Sequence, residues 1–297
     1  MSIKTVFSIK DLENLSGVKA HTIRIWEKRY NLFEPQRTDT NIRVYGNDEL
    51  QKILNIAFLN KNGLKVSKIA EISDEEISNR IQKLLQEENT FEDAYNKFKL
   101  AMLNFDTVLF NNTYNLLLEK ESFRTIFVEI FARLLQEIGV LWHTNTIKPM
   151  HEHFISTLIS QKILLNIEKI NIKPREDATY VLFLPVNEIH QIGLLYLNYE
   201  LVSNGYKTIY LGPNVPIANL KDLQVLFPKI EFVSYFTVEP TKENAQAYLE
   251  EMHRNILKTR NENFHVLGRQ IENFTFASKN NNVNFYKGIK EFVEVML

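Results

Sequence analysis

The spacing of hydrophobic residues divides the 297-residue chain into three sections. In residues 1–73, short apolar repeats predict small helices with a β-hairpin between them. Residues 74–172 carry long runs with apolar positions at i, i+3 and i+4, and the last four runs have the lengths of a four-helix bundle. Residues 173–297 alternate short apolar runs with helical ones, which predicts a doubly wound parallel sheet of flavodoxin-like type. We therefore predict three domains, two of them α and the last α/β.

The first section contains two short helices separated by a tight turn. In the second helix, "VKAHTIRIWEKRY", the spacing places Ile23 and Trp26 on the inner face. Arg24, Lys28 and Arg29 then point outward, as in a helix that lies in the major groove of DNA. A helical bundle with surface arginines would give a similar pattern, so periodicity alone leaves both interpretations open.

Charge and composition narrow the function. Residues 1–73 hold twelve Lys or Arg against eight Asp or Glu, while the whole chain has a net charge of −1. A basic head on an acidic remainder is typical of a DNA-binding regulator. The absence of cysteine excludes disulfides, thiolate zinc sites and iron–sulfur clusters. No apolar run approaches the roughly 20 residues that span a bilayer, and the N-terminus turns polar too soon for a signal peptide, so we expect a cytoplasmic protein without membrane contact.

Several pieces of the first section resemble the winged helix-turn-helix of the MerR family of transcriptional regulators. They are "SGVKAHTIRIWEKRY", then "PQR" and "RVY", and a following helix with Leu, Ile, Leu and Gly, all in the family's order. The resemblance implies that Arg24 and its helix neighbours face bases and phosphates, and that Arg43 and Tyr45 grip the DNA backbone. The expected DNA-binding residues are Thr22, Arg24, Lys28, Arg29, Arg43 and Tyr45.

A second group of candidate residues follows the first strand of the predicted sheet, in "NEIHQIG". Glu188 stands two residues before His190, and Gly193 follows. A carboxylate of this kind can orient a metal-binding imidazole, although a single histidine in a loop is most often an ordinary surface residue. Ligands of doubly wound sheets bind beyond the carboxyl ends of the strands, between the first and third strands in the commonest five-strand order.

This section resembles the cobalamin-binding domain of methionine synthase, corrinoid proteins and related mutases. The resemblance implies that His190 ligates cobalt from below, that Ser234 lies beside the buried nucleotide tail, and that Gly268 is the first of two glycines near it. The chain departs from the pattern at two positions. The second glycine is Arg269, which could obstruct the tail or meet a phosphate, and the bulky Phe236 stands where the family usually has Leu or Thr.

The segment "WHTNTIKPMHEH", which starts at Trp142, holds three of the chain's seven histidines. Positions i and i+2 of a helix lie about 200° apart, so His151 and His153 are poorly placed to share a zinc ion. The spacing W-x9-EH resembles the CarH, CarA and LitR type of photoreceptor, which are MerR regulators with a helical cap above a cobalamin domain. The resemblance implies that Trp142 packs over the adenosyl group and that Glu152 and His153 hold the cap on the cofactor. It also implies that His143 takes cobalt's upper position after light removes the adenosyl group.

The leading hypothesis is therefore a DNA-binding repressor, not an enzyme, that senses adenosylcobalamin and light. By resemblance, we expect double-stranded operator DNA as partner, a homo-oligomer (dimer or tetramer) that light dissociates, and an antirepressor protein as a further candidate partner. An alternative keeps the same head but has a cobalamin-like domain that works without cofactor, in oligomerisation or partner binding. A corrinoid enzyme or carrier is disfavoured by the DNA-binding head, and a metal or redox sensor by the lack of cysteine.

Overall fold

The computed structural model divides into two compact units, Met1–Leu158 and Ile159–Leu297. It describes residues 6–77, 79–80, 90–144, 146–260, 262–272, 274 and 282–296, with only the backbone of Thr90, Trp142 and His143. Among the described residues, no helix is both long enough and apolar enough to cross a bilayer.

The first unit begins with the predicted winged helix-turn-helix. Ser8 accepts a hydrogen bond from the backbone N–H of Asp11 at 3.2 Å and so begins the first helix, which ends at Gly17 in a left-handed conformation with φ of 73°. Strands β1 and β2 form the predicted antiparallel wing, with Gln36 opposite Val44. The elements are α1 (Ile9–Ser16), α2 (Ala20–Tyr30), β1 (Gln36–Arg37), β2 (Arg43–Val44), α3 (Asn47–Lys61) and α4 (Val66–Ile69).

Four long helical segments follow, as the periodicity predicts. The side chains of Asp106 and Ser122 each accept a backbone N–H and cap the helices that follow them. The rings of Phe98, Phe110 and Phe131 pack together at centroid distances of 4.9 to 6.0 Å. The segments are α5 (Thr90–Asn104), α6 (Thr107–Leu118), α7 (Phe123–Ile126) with a π-helical turn (Phe127–Phe131) and α8 (Ala132–His143), and α9 (Pro149–Glu168). The division between the units falls within α9, and the helix predicted over 74–89 lies largely outside the described residues.

The second unit contains a five-stranded sheet in the order β4-β3-β5-β6-β7, in which all neighbouring strands are parallel. The strand predicted at "FTFA" lies outside the described residues except for Phe274. The elements are β3 (Thr179–Phe183), α10 (Ile192–Ser203), β4 (Lys207–Gly212), α11 (Lys221–Leu226), β5 (Ile230–Tyr235), α12 (Lys242–Met252), α13 (Lys258–Arg260), β6 (Asn263–Leu267), β7 (Val283–Tyr286) and α14 (Ile289–Met296).

Helices cover both faces of this sheet, which confirms the doubly wound fold. Leu249 of α12 packs on one face against a cluster that includes Val181 and Phe232. Leu197 of α10 and Phe292 of α14 pack on the other face. The connection after β3 leads to β4 on one side, and the connection after β5 leads to β6 on the other side. The carboxyl ends of β3 and β5 therefore border the crevice in which such folds bind ligands.

Candidate DNA interface and candidate cofactor site

Helix α2 presents a basic outer face. Arg24, Lys28 and Arg29 are exposed, whereas Ile23 and Trp26 are buried in the core of the head. Thr22 is half-buried at the start of the same helix. Three cations on one exposed helix face are the arrangement that phosphate and base-edge contacts require.

Glu27 joins this helix to the wing. Its Oε1 accepts a hydrogen bond from Arg43 Nε at 2.9 Å, and its Oε2 accepts one from the Tyr45 hydroxyl at 3.2 Å. Burial, and next the Glu27 charge, raises the pKa of Tyr45 to about 12, so the hydroxyl stays protonated and donates. The Tyr45 ring is 1% exposed, so the structure supports a role in holding Glu27, and the DNA-backbone contact expected of Tyr45 stays a prediction. Glu27 could not be identified from the sequence, because no local sequence signal links it to Arg43 and Tyr45, which lie 16 and 18 positions further along the chain.

The head also contacts the segment that follows α8. Asn14 Nδ2 of α1 donates to Thr146 Oγ1 at 3.0 Å, and Thr146 lies within "WHTNTIKPMHEH". The buried Lys99 of α5 donates from Nζ to the Leu15 carbonyl at 2.6 Å and to Glu137 Oε1 of α8 at 2.5 Å. Burial lowers the pKa of Lys99 and raises the pKa of Glu137, because desolvation disfavours the charged form of each group.

The candidate cap residues lie at the ends of two helices. Trp142 and His143 end α8, and of these two only the backbone is described. In the first turn of α9, Glu152 is half-buried and His153 is exposed. His151 is instead buried and stacked on Phe105, with ring centroids 4.8 Å apart. His151 and His153 thus have opposite environments, and among the described residues no group of three or more His, Asp or Glu could hold a metal ion.

The loop after β3 holds Glu188 and His190 in a close hydrogen-bonded pair. His190 Nδ1 lies 2.6 Å from Glu188 Oε1, and that oxygen also accepts the backbone N–H groups of Ile189 and His190 at 2.8 and 2.9 Å. The carboxylate is fully buried, while 41% of the His190 side chain is exposed. A buried acid therefore fixes the orientation of a solvent-facing imidazole.

Glu188 also ties β3 to β5. Its Oε2 accepts the backbone N–H groups of Thr237, Val238 and Glu239 at 3.2, 2.6 and 2.9 Å, all in the loop after β5. Burial by itself raises the pKa of Glu188, but these bonds and the one from His190 outweigh it and lower the pKa to about 2. When the ionised Glu188 accepts a hydrogen bond from Nδ1–H, the lone pair of a neutral imidazole lies on Nε2.

Exposed apolar side chains lie at the same edge of the sheet as His190. Val186 and Ile189 come from the loop after β3, Leu211 from the end of β4, and Val238 from the loop after β5. Exposed apolar groups gathered at one edge of a sheet are typical of ligand-binding surfaces. An oriented imidazole and exposed apolar groups at one edge of the sheet have the chemistry to hold a corrinoid, with His190 as the nitrogen donor that would bind its cobalt.

Protein atoms lie close to Ser234 and Gly268, the two positions expected beside the nucleotide tail, and to Gly193. Ser234 is fully buried, and its hydroxyl donates to the Phe183 carbonyl at 2.8 Å. A Cβ atom on Gly193 would lie 3.1 Å from the Tyr235 ring. A Cβ atom on Gly268 would lie 2.3 Å from the backbone oxygen of Phe236, which follows the neighbouring strand β5. The tail half of the site therefore does not fit, although the ring half does. Arg269 is exposed and begins a short 3-10 turn.

Two protein-family models match separate segments of the chain. Residues 7–76 match the MerR HTH family regulatory protein model, and residues 94–165 match a B12 binding domain model that covers the four helical segments. Part of the chain has the fold of a solved corrinoid protein, the monomethylamine corrinoid protein of Methanosarcina barkeri. That similarity has a TM-score of 0.53 at 12% sequence identity and covers 69% of this chain and 97% of that one.

The chain is therefore a transcriptional regulator that carries a helix-turn-helix segment of MerR type and a B12-binding domain. It is homologous to two repressors of Myxococcus xanthus. The HTH-type transcriptional repressor CarH is 23% identical over 240 residues, which cover 78% of this chain and 79% of CarH. The repressor CarA is 24% identical over 241 residues, which cover 80% of this chain and 79% of CarA.

Proposed function

We propose that the protein is a cytoplasmic repressor that binds operator DNA and releases it in response to light absorbed by adenosylcobalamin. The observation that carries this proposal is the pair of Glu188 and His190, which lies with exposed apolar side chains at the carboxyl ends of three adjacent strands. The same chain begins with a winged helix-turn-helix whose outer face is basic. Sensor and DNA-binding head thus belong to one polypeptide.

Arg24, Lys28 and Arg29 are the residues that we assign to the major groove, with Thr22 at the start of the helix. Arg43 lies on the wing, where Glu27 holds its guanidinium in place at 2.9 Å. Phosphate contacts of this kind supply much of the affinity and make it depend on salt. A dimer or tetramer would engage tandem operator sites and gain affinity through multivalency. An antirepressor protein that binds the cap and sheet is a further candidate partner.

In the second unit, His190 would hold cobalt from below through Nε2. Glu188 keeps the proton on Nδ1 and the imidazole in one orientation, and the exposed apolar side chains would cover the lower face of the ring. When bound, adenosylcobalamin supplies a cobalt–carbon bond that light cleaves. We retain Trp142, Glu152 and His153 as cap residues and His143 as the residue that takes the upper position after illumination.

The experiment is an absorption spectrum of the full chain mixed with adenosylcobalamin in the dark, desalted, and then exposed to green light. We expect a retained corrin spectrum that changes irreversibly, and loss of retention in His190→Ala. His21→Ala is the matched control, because His21 is an exposed histidine of the other unit.

Complete loss of the corrin from the wild-type chain would contradict the proposal. It would favour a second candidate function, a regulator whose B12-type domain works without cofactor in oligomerisation or partner binding. The filled positions beside Ser234, Gly193 and Gly268 are the observation that favours this alternative. Gel filtration and operator binding in the absence of any corrinoid would then identify what the domain does.

A further inference from the structure

We infer that this chain recognises the corrin ring of its ligand and leaves the nucleotide tail outside the sheet, so that tail-less corrinoids bind as well as complete ones. The inference rests on the proposed cofactor binding and defines the chemical class of the ligand. Tyr235 is the residue that we assign as the determinant of this specificity. Its position at the end of β5 brings it next to the loop that carries His190.

The Tyr235 ring fills the space beside Gly193. A Cβ atom at Gly193 would lie 3.1 to 3.3 Å from three carbon atoms of that ring, so the glycine accommodates a side chain of the protein itself. The ring also packs against the buried cluster that contains Leu194 and Leu267. Gly193 therefore leaves no gap into which a benzimidazole base could enter while Tyr235 keeps this position.

The hydroxyl expected to meet the tail is already engaged. Ser234 Oγ donates to the carbonyl oxygen of Phe183 at 2.8 Å, across the pair formed by β5 and β3, and the residue is fully buried. A hydroxyl has one proton to donate, so the Ser234 donor serves the sheet. This contact stabilises the junction of the two strands whose loops hold Glu188 and His190.

Gly268 is required by the backbone next to it. Its φ of 112° is rarely adopted by other residues, and an added Cβ would approach the Phe236 oxygen to 2.3 Å. Phe236 N donates to the Leu267 carbonyl at 2.7 Å, and Gln270 N donates to the Phe236 carbonyl at 3.1 Å. The Phe236 side chain lies in the core, 5.4 Å from the Tyr248 ring. The end of β5 is thus bonded to the turn after β6, with no space between them for a ligand.

The ring half of the site has the opposite character. Val186, Ile189, Leu211 and Val238 are all exposed, and so is much of His190. A corrinoid could therefore contact His190 and these apolar side chains without any rearrangement, whereas its tail would have to displace the Tyr235 ring. The protein would then recognise the corrin ring, which all corrinoids share.

The test is a titration of the full chain in the dark with hydroxocobalamin and, separately, with cobinamide, which has the corrin ring but no nucleotide. Binding is followed by the visible absorption of the corrin. For the wild type we expect dissociation constants within about threefold of each other, a difference under 1 kcal/mol. In Tyr235→Ala the space beside Gly193 becomes available to the tail, and the preference for hydroxocobalamin should rise about tenfold through new apolar contact.

Tyr206→Ala is the matched control. Tyr206 is also partly buried against the same cluster, but it precedes β4 and so lies at the amino ends of the strands, away from His190. Its loss should therefore leave the ratio of the hydroxocobalamin and cobinamide dissociation constants unchanged. A wild-type chain that binds hydroxocobalamin tenfold or more tightly than cobinamide would overturn the inference and leave the proposed function intact. Binding of neither corrinoid would refute both. The ratio of the two dissociation constants of the wild type tests the inference even if Tyr235→Ala fails to fold.

Discussion

Replacement of Glu188 by glutamine tests whether the buried carboxylate organises the candidate cofactor site. Oε1 accepts the Ile189 and His190 backbone N–H groups and His190 Nδ1, and Oε2 accepts three backbone N–H groups of residues 237–239. A glutamine side chain has one carbonyl oxygen and one NH₂ group. Whichever way the amide is turned, its NH₂ faces three donors, and buried donors without an acceptor are destabilising.

The pKa of Glu188 gives the magnitude. The hydrogen bonds outweigh burial and lower the pKa from 4.5 to about 2. At 1.36 kcal/mol for each tenfold change in proton affinity, this corresponds to roughly 3 kcal/mol. Since the carboxylate is fully buried, solvent does not screen these contacts. A lowered carboxyl pKa stabilises the folded state above pH 4.5, and this contribution is lost as the pH falls from there towards 2.

The assay is urea unfolding of the wild type and Glu188→Gln between pH 7 and pH 3, with the exposed Glu176→Gln as control. We expect Glu188→Gln to lower the free energy of unfolding of the second unit by about 3 kcal/mol at pH 7, and the difference to shrink below pH 4.5. Glu176→Gln should change it by less than about 0.5 kcal/mol. A difference under 1 kcal/mol at pH 7, or one that does not depend on pH, would refute the assignment of Glu188 as the buried anion that orders both loops.

Three further substitutions test other parts of the molecule. Arg24→Ala should weaken operator binding by about 1–3 kcal/mol in a fluorescence anisotropy titration. An unchanged affinity would contradict the assignment of α2 as the helix that binds the major groove. Gly268→Ala should lower the free energy of unfolding by more than about 3 kcal/mol because its Cβ meets a backbone oxygen, whereas Gly288→Ala, with open space around it, should have little effect. Lys99→Met removes the donor that joins the end of α1 to α8 and should destabilise the first unit by about 2–3 kcal/mol in urea. Lys97→Met, at a more exposed ion pair on the same helix, should change it by less than about 1 kcal/mol, and equal effects of the two lysines would contradict the role of Lys99.

Local pattern was sufficient to predict most elements of the fold. The winged helix-turn-helix, the four long helical segments and the parallel doubly wound sheet are all confirmed. Helices and strands follow from the period of apolar residues, from caps such as Ser8 and from turns such as that at Gly17, all of which operate within a few residues of the chain. The position of His190 after the first strand of the sheet was predictable for the same reason, since strand ends are local features.

The partners of those residues were decided by tertiary packing. Glu188 takes hydrogen bonds from a loop about fifty residues further on, and Glu27 takes them from Arg43 and Tyr45 in the second arm of the wing. The ring of Tyr235 lies against Gly193 from a neighbouring strand. The sequence by itself determined the order of the modules and the edge of the sheet on which a ligand would bind. Only the folded chain determined which space at that edge is open, because the volume that a side chain occupies depends on strands that are distant in sequence and adjacent in the sheet.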